Sequence, residues 1–488
     1  MNKLIFIFLF TMSQIGMSQN LFTTNYPSNE NYRVERVKQD YDGNFVLSGY
    51  RDIIAENAAR PYVFKVSATG QVLDSVIYFM GMPYDWFIAD VIIDSSFYYF
   101  IGFSGDWSGN GTGPNDSSMF LLKTDYSLIP IDTHFYPVVD NQDIGYSTSK
   151  FDDYGNIIVT GYYSTQNSHF GSFINKLNKN GNLLNSSIVT ADSNKRFTNI
   201  MIDSSFYYAF GYTWSNILPR LIYKYDSSLN LIDTYVIPNK AQQYYSPIKI
   251  SSHKYFTSGY IHSSTYPSTK KFAIIKSTID GILIDSLEFG KADSTNIPAF
   301  YDALCIQNGY LYFAGSIYKS NTIPPYGENI PSYLYISKID TSLNIIWEKL
   351  IGGDAYYTAM NVIATLDGGI LMMGSRNILN DNKNNLDIRL VKLDTNGNIT
   401  WIKNIETAET DIKLFPNPAT DDLIISLLDK TKKIKFIRIF DTQQREILSK
   451  QVDSQETKVD ISNYSIGFYL IEGVLESGER FVGKFVKE

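Results

Sequence analysis

A single cysteine, Cys305, and four histidines, His134, His169, His253 and His262, leave this 488-residue chain poor in the groups that most often bind metals or act as nucleophiles. One thiol closes no intramolecular disulfide, so packing alone must hold the fold. Cys305 follows apolar Ala303-Leu304 with no histidine beside it, which points to a buried, inert thiol. The dispersed histidines form no His-x-x-x-His pair and there is no Cys-x-x-Cys, so the sequence offers no zinc motif. A Gly-x-Ser-x-Gly elbow and a phosphate-binding glycine loop are also missing. Charge is sparse, at 19% of residues, and the net value of −8 argues against nucleic acid as a partner. No apolar run after the first residues approaches the length of a membrane-spanning helix.

The start of the chain reads as a targeting segment. Lys3 supplies the positive end, Leu4 to Met12 an apolar run too short to span a bilayer, and Gly16-Met17-Ser18 the small residues of a cleavage site. A signal peptide over residues 1–18, cut before Gln19, is expected.

What the chain has in quantity is repetition. Apolar strands end on Gly49, Gly102, Gly161, Gly211, Gly259, Gly315 and Gly374, and each is followed by a strand that runs into Lys65, Lys123, Lys176, Lys224, Lys276, Lys338 or Lys392. Both series advance by roughly 50 to 60 residues, a period of solenoids, propellers or arrays. In the third copy, alternation predicts strands at Tyr146 to Phe151, Asn156 to Tyr162, Ser172 to Leu177 and Leu183 to Val189. Short Gly/Asn turns join the first to the second and the third to the fourth, as at Asp152-Asp153-Tyr154-Gly155-Asn156 and Asn178-Lys179-Asn180-Gly181-Asn182. A four-stranded unit occurring seven times predicts an all-β, seven-bladed β-propeller over residues 19–405. Tyr32 to Val37 is expected as the innermost strand of the first blade. Leu21 to Tyr26 is expected to close the ring beside Ile399 to Ile405. The identical segments Ile93 to Tyr99 and Ile202 to Tyr208 suggest growth by duplication. The 37 tyrosines and 30 phenylalanines suit strands, and some of them could serve as sugar-stacking platforms.

A linker is expected over 406–412. Beyond it, Leu414-Phe415-Pro416-Asn417-Pro418-Ala419 opens a tail that alternates as short strands. Phe415, Pro416, Asn417 and Pro418 at its start, Ile439-Phe440-Asp441 at its centre and Val459-Asp460-Ile461-Ser462, Gly467-Phe468-Tyr469-Leu470 and Gly483-Lys484-Phe485 towards its end form a spaced pattern. This pattern resembles the C-terminal sorting domain of the type IX secretion system of Bacteroidota. The resemblance implies that residues 413–488 are a small immunoglobulin-like β-sandwich recognised by the outer-membrane translocon, with Phe415, Pro416, Asn417, Pro418, Gly467, Tyr469 and Lys484 in its motifs. It also implies passage through the periplasm and outer membrane, then release or attachment to surface lipopolysaccharide. The segments Asp367-Gly368-Gly369-Ile370 and Val391 to Trp401 are similar to bacterial surface propellers known mainly as sequence repeats.

The long loops between second and third strands, Arg51 to Pro61, Ser104 to Ser117, Ile317 to Ser332 and Ser375 to Leu386, share one face with the blade-to-blade connections. Binding residues ride on such loops. The candidates are Asp85, Trp86, Asp106, Trp107, Asp143, His169, Trp214, Tyr301, Asp302, Asp354, Tyr356 and Tyr357. Asp394 to Trp401 misses the sialidase Asp-box spacing, and adjacent cysteines of the quinoprotein type are impossible here, so no catalytic residue is assigned. No cofactor is assigned either. Calcium at Asp40/Asp42/Asn44 or Asp394/Asn396/Asn398 stays open, because neither set alone supplies enough ligands. The expectation is an exported monomer that binds a polysaccharide or protein without catalysis. An extracellular hydrolase or lyase using the same face is the alternative.

Overall fold

The computed structural model describes residues 21–26, 32–53, 58–80, 85–105, 118–137, 143–164, 170–190, 196–212, 220–237, 240–241, 243–251, 253–262, 269–319, 330–379, 386–399, 412–429, 431–440, 446–476 and 480–488. The expected signal peptide lies outside them. The chain divides into two compact units, residues 1–401 and 402–488, and the described residues are all-β, with no helix.

In the first unit the strands of each repeat pair antiparallel in sequence order, and the fifth and sixth repeats are joined into one sheet by a parallel bridge between Lys270 and Thr295. The third repeat, with strands Asp143–Phe151, Ile157–Ser164, Phe170–Leu177 and Leu183–Val189, follows the predicted pattern closely. The first strands of the successive repeats are Tyr32–Gln39, Asp85–Ile93, Asp143–Phe151, Arg196–Asp203, Gln243–Ser251, the split pair Thr295–Pro298 and Leu304–Gln307, and Ala355–Ala364. Each contacts the next, and the last contacts the first, so these strands ring a central axis. This cyclic order defines a β-propeller. The ring is sealed by Phe22–Tyr26, which pairs antiparallel with Leu386–Leu393 from Phe22 opposite Lys392 to Tyr26 opposite Ile388. The seam partner is therefore not the expected segment 399–405, which except for Ile399 lies outside the described residues. Leu386–Leu393 ends in a turn and leaves its free edge for the N-terminal strand.

The repeat glycines and lysines now have physical roles. Gly49 and Gly102 pair with Val34 and Ile88, just where the inner strands bulge. A Cβ on Gly49 would sit 1.9 Å from the Arg33 carbonyl oxygen, and one on Gly102 2.1 Å from that of Phe87. Four of the lysines clasp the following repeat, whereas Lys123 and Lys224 lie over aromatic rings and Lys392 pairs with Asp367 within their own repeats. Lys65, Lys176, Lys276 and Lys338 donate to the carbonyls of Tyr126, Ser227, Thr341 and Thr395, each the second residue of the third-to-fourth turn in the following repeat. Lys65 and Lys176 also pair with Asp40 and Asp152, which accept the hydroxyls of Tyr98 and Tyr207 from the next sheet. Asp40 thus serves a turn and a clasp. Asp394 is likewise occupied, accepting Asn396 and Asn398 backbone N–H groups at 2.8 and 2.7 Å.

The expected long loop from Arg51 to Pro61 is mostly strand, because pairing continues from Phe45 opposite Val66 out to Ile53 opposite Ala58. In the second unit the expected linker also stops early, since Ile412 already pairs with Leu427. This unit has one sheet of Ile412–Phe415, Asp422–Leu427 and Glu456–Asp460 and another of Glu446–Ser454, Ile434–Phe440, Gly467–Leu475 and Arg480–Lys487. Leu423, Ile425, Ile437, Ile439, Ile471 and Phe485 share a core between them.

Candidate functional site in the central channel

Inner strands that alternate between neighbours should be apolar throughout, yet several carry polar residues at mid-strand. The cause is a recurrent β-bulge. The register slips between Val34 and Arg36, Ile88 and Asp90, Gly145 and Thr148, Phe197 and Asn199, and Ala359 and Asn361. A bulge re-aims the residue that follows it, and here that residue is Arg36, Asp90, Thr148, Asn199 or Asn361. In the sixth repeat the inner strand breaks between Pro298 and Leu304, placing Tyr301 and Asp302 in the same ring. Their backbone is fixed by Tyr301 N–H to the Met360 carbonyl at 3.0 Å and Val362 N–H to the Asp302 carbonyl at 2.7 Å. Ser246 adds a bond from its hydroxyl to the Tyr301 carbonyl at 2.8 Å.

Two cavities lie along the axis. One, of about 210 Å³, opens at the starts of the inner strands, on the long-loop face, between Tyr32, Tyr50, Phe87, Phe103, Tyr162 and Tyr301, with Glu35 and Asp387 among its polar groups. The other, of about 700 Å³, opens at the tight-turn face and contains Lys38, Asp90, Thr148, Ser149, Lys150 and Asp302. Buried Arg36 belongs to the level between them: its guanidinium lies 4.3 Å from the Tyr301 ring centroid, Nε donates to the Ala89 carbonyl at 3.1 Å, and Asp90 is 3.5 Å away. Asp90 also accepts Ser149 N–H at 2.7 Å and Ser149 Oγ at 3.1 Å. Lys38 donates to Asp302 at 3.3 Å.

These charges perturb one another. Burial pushes the half-buried Glu35 carboxyl up to about 7, against the Tyr301 hydroxyl bond and the charges of Arg36 and Arg33. Burial also opposes charge on Asp302, but Lys38, Arg36 and Lys150 outweigh it and hold that carboxyl down to about 2. Shifted groups gathered in a cavity are a recognised mark of functional sites.

Of the sequence candidates, Tyr301 and Asp302 enter the axial site, one in each cavity. Asp85 begins an inner strand and accepts the Ala59 N–H at 2.6 Å, stitching two sheets together. Asp354 is exposed, accepts the Tyr357 hydroxyl at 2.8 Å, and shares Arg376 with Asp387. Trp86, expected among loop residues that bind a ligand, is a correction. It lies on the strand Asp85–Ile93, is 6% exposed and packs on Phe120 and Phe135 at ring distances of 5.7 and 5.4 Å. Tyr356 and Tyr357 are also buried, because the strand Ala355–Ala364 begins before them and carries both rings into the sheet packing. Asp143 opens an inner strand, and nothing is described of its side chain. Asp106, Trp107, His169 and Trp214 lie outside the described residues. Glu35, Arg36, Lys38, Asp90, Lys150 and Asn361 were not singled out by sequence reasoning. Their signal is an ionisable or amide side chain inside a first strand. Cys305 is buried, and its thiol is pushed up by that burial.

In the second unit the proline-rich motif docks on the last strand: the Asn417 side chain accepts Val486 N–H at 2.9 Å, and Ala419 N–H donates to the Val486 carbonyl at 2.8 Å. Phe415 is half-buried at the end of its strand, while Pro416 and Pro418 are exposed. Tyr469 is buried and stacked on Phe485 at 5.3 Å. Gly467 begins the strand that pairs with Arg480–Lys487, and Lys484 lies on that partner opposite Leu470.

The chain matches no curated protein. Among solved structures it is similar to the β-propeller domain of the trilobed protease of Pyrococcus furiosus (9% identity, TM-score 0.43, 77% of this chain and 99% of that one). It is also similar to a fungal alcohol oxidase of the AA5 family in complex with copper (12%, TM-score 0.42, 95% and 98%) and to a Trypanosoma rangeli sialidase (10%, TM-score 0.40, 77% and 58%). At such low similarity no activity is carried over from them. Residues 413–488 match the secretion system C-terminal sorting domain, so the chain carries a type IX secretion sorting tail, which directs export to the cell surface or secretion.

Proposed function

We propose that this chain is a seven-bladed β-propeller exported by the type IX system of a Bacteroidota cell, where it binds a polysaccharide or protein without catalysis. On this reading residues 1–18 are removed on passage to the periplasm. The tail, an immunoglobulin-like sandwich in two sheets, is read by the outer-membrane translocon, and the propeller is then released or attached to lipopolysaccharide. The cyclic contacts of the inner strands support the blade number.

The observation that carries the binding reading is the aromatic cavity on the long-loop face, where Tyr32, Tyr50, Phe87, Phe103, Tyr162 and Tyr301 surround a few polar groups. Apolar walls with sparse, convergent polar groups are the usual form of a ligand site. Aromatic faces give large contact area with little rotamer loss. A glycan and surface-protein array probed with wild type and Tyr50→Ala tests it: binding by wild type that falls at least tenfold in the variant is expected, and equal binding by both removes the cavity from the site.

A second reading, hydrolysis, is favoured by Glu35 alone, whose carboxyl stands near 7 beside the Tyr301 hydroxyl. General acids are tuned to that range. Turnover of array-positive glycans by wild type, abolished in Glu35→Gln, would establish it, whereas tight binding without turnover leaves the binding reading.

A further inference from the structure

The cavity at the tight-turn face holds a basic side chain that has no acidic partner of its own. Four ionisable side chains line it, the bases Lys38 and Lys150 and the acids Asp90 and Asp302, and buried Arg36 lies behind Asp90. Each carboxylate has a cation of its own, Asp90 with Arg36 at 3.5 Å and Asp302 with Lys38 at 3.3 Å. Asp90 is further occupied by Ser149 and Thr148. The Lys150 side chain has no hydrogen bond or ion pair among the described residues, although it faces this cavity from the strand Asp143–Phe151. It feels Asp302 and Asp90, but Lys38 and Arg36 oppose them, and burial disfavours its charge. Nearby, Arg36 Nη1 is buried without a partner. A bound anion would offset the burial that disfavours charge on the Lys150 ammonium.

We propose that this second cavity binds a small anionic molecule, with a carboxylate, sulfate or phosphate group held at Lys150. Asn308 and Gln307 line the same space and offer neutral hydrogen-bonding groups for the rest of the molecule, whereas the Thr148 and Ser149 hydroxyls beside them already donate to Asp90. The volume, about 700 Å³, exceeds that of a bare inorganic ion. It falls within the span of roughly 300–1,000 Å³ typical of small-molecule pockets. The site stands apart from the aromatic cavity, so it does not depend on the proposed function.

Equilibrium dialysis of the full chain at constant ionic strength, with radiolabelled sulfate, phosphate, acetate and glucuronate as separate probes, tests the proposal. Saturable binding of at least one probe at one site per chain is expected. Lys150→Gln should weaken it at least tenfold, Lys150→Arg should restore it to within a few-fold, and Lys249→Gln on the outer surface should leave it unchanged. A preference for glucuronate would identify a sugar acid; equal binding of all four would identify the charge alone as the determinant. Non-saturable uptake, or equal affinity in wild type and Lys150→Gln, overturns the site. Amine-labelling mass spectrometry of the unmutated protein gives an answer independent of any variant. Lys150 should be protected by the bound probe, and labelling at an unchanged rate would count against the proposal.

Discussion

Glu35 lies on the inner strand of the first repeat and Trp86 on that of the second, and their neighbours give them opposite meanings. Trp86 shares one apolar cluster with Val91, Phe120 and Leu122. Truncating a buried aromatic costs about 3–5 kcal/mol. Trp86→Ala should therefore lower the melting temperature of the propeller by many degrees in calorimetry, while a wild-type melting curve would show that the ring is not part of the core. Glu35 lines the aromatic cavity, and its carboxyl is raised from 4.5 to about 7. A carboxyl with a raised folded value binds protons more tightly folded than unfolded. Its contribution is thus best below pH 4.5 and declines as the pH rises through 7. Glu35→Gln should remove that decline, so the variant gains on wild type in urea melts between pH 5 and about 7.5. Identical pH dependence in both proteins would mean that Glu35 titrates normally.

The repeating elements were legible because their signals are local. Alternation and Gly/Asn turns are written within a few residues, and the strand Leu183–Val189 matches its expected span at both ends. Non-local features were not. The seam pairs Thr23 with Val391, and nothing near either residue announces the other. The axial site is similar: Lys38 and Asp302 are far apart in sequence and meet only once the ring closes. The repeat lysines were visible as markers, but their role as clasps needs the adjacent blade. Lys176 shows the consequence. It is 8% exposed and donates to the Tyr207 hydroxyl and the Ser227 carbonyl, both at 3.0 Å, with Asp152 3.4 Å away. Lys176→Met keeps the length of the stem and leaves Asp152 without its cation. Breaking a buried pair from one side costs about 3 kcal/mol or more. Burial opposes charge on Asp152, yet bonds from Asn156 and Tyr207 hold its carboxyl below 3.8. Stability from such a group is present above its ordinary value and lost as the pH falls through the folded one. The deficit of Lys176→Met in urea melts should accordingly shrink under strongly acidic conditions, and a pH-independent deficit would assign it to packing.

At the scale of the molecule, the two units have separate cores and can be separated by design. Phe22, Phe45 and Leu390 pack across the seam within the first unit, whereas Leu423, Ile439 and Phe485 belong to a cluster confined to the second. The propeller's closure uses residues 22–26 and, among the described residues, draws no strand from the tail. Deleting residues 412–488 should leave the propeller's melting transition within a few degrees of its value in the full chain. Export should fail nonetheless, because the sorting domain goes with the deleted residues. Cell fractionation should then find the truncated chain folded and protease-resistant in the periplasm, while the full chain reaches the surface or the medium. Surface delivery of the truncated chain would show that the tail is dispensable for export. A periplasmic chain that is degraded, together with a lowered melting temperature of the purified fragment, would show instead that the second unit supports the fold of the first. Fractionation and melting together therefore separate an address from a structural support, which either measurement alone would confuse.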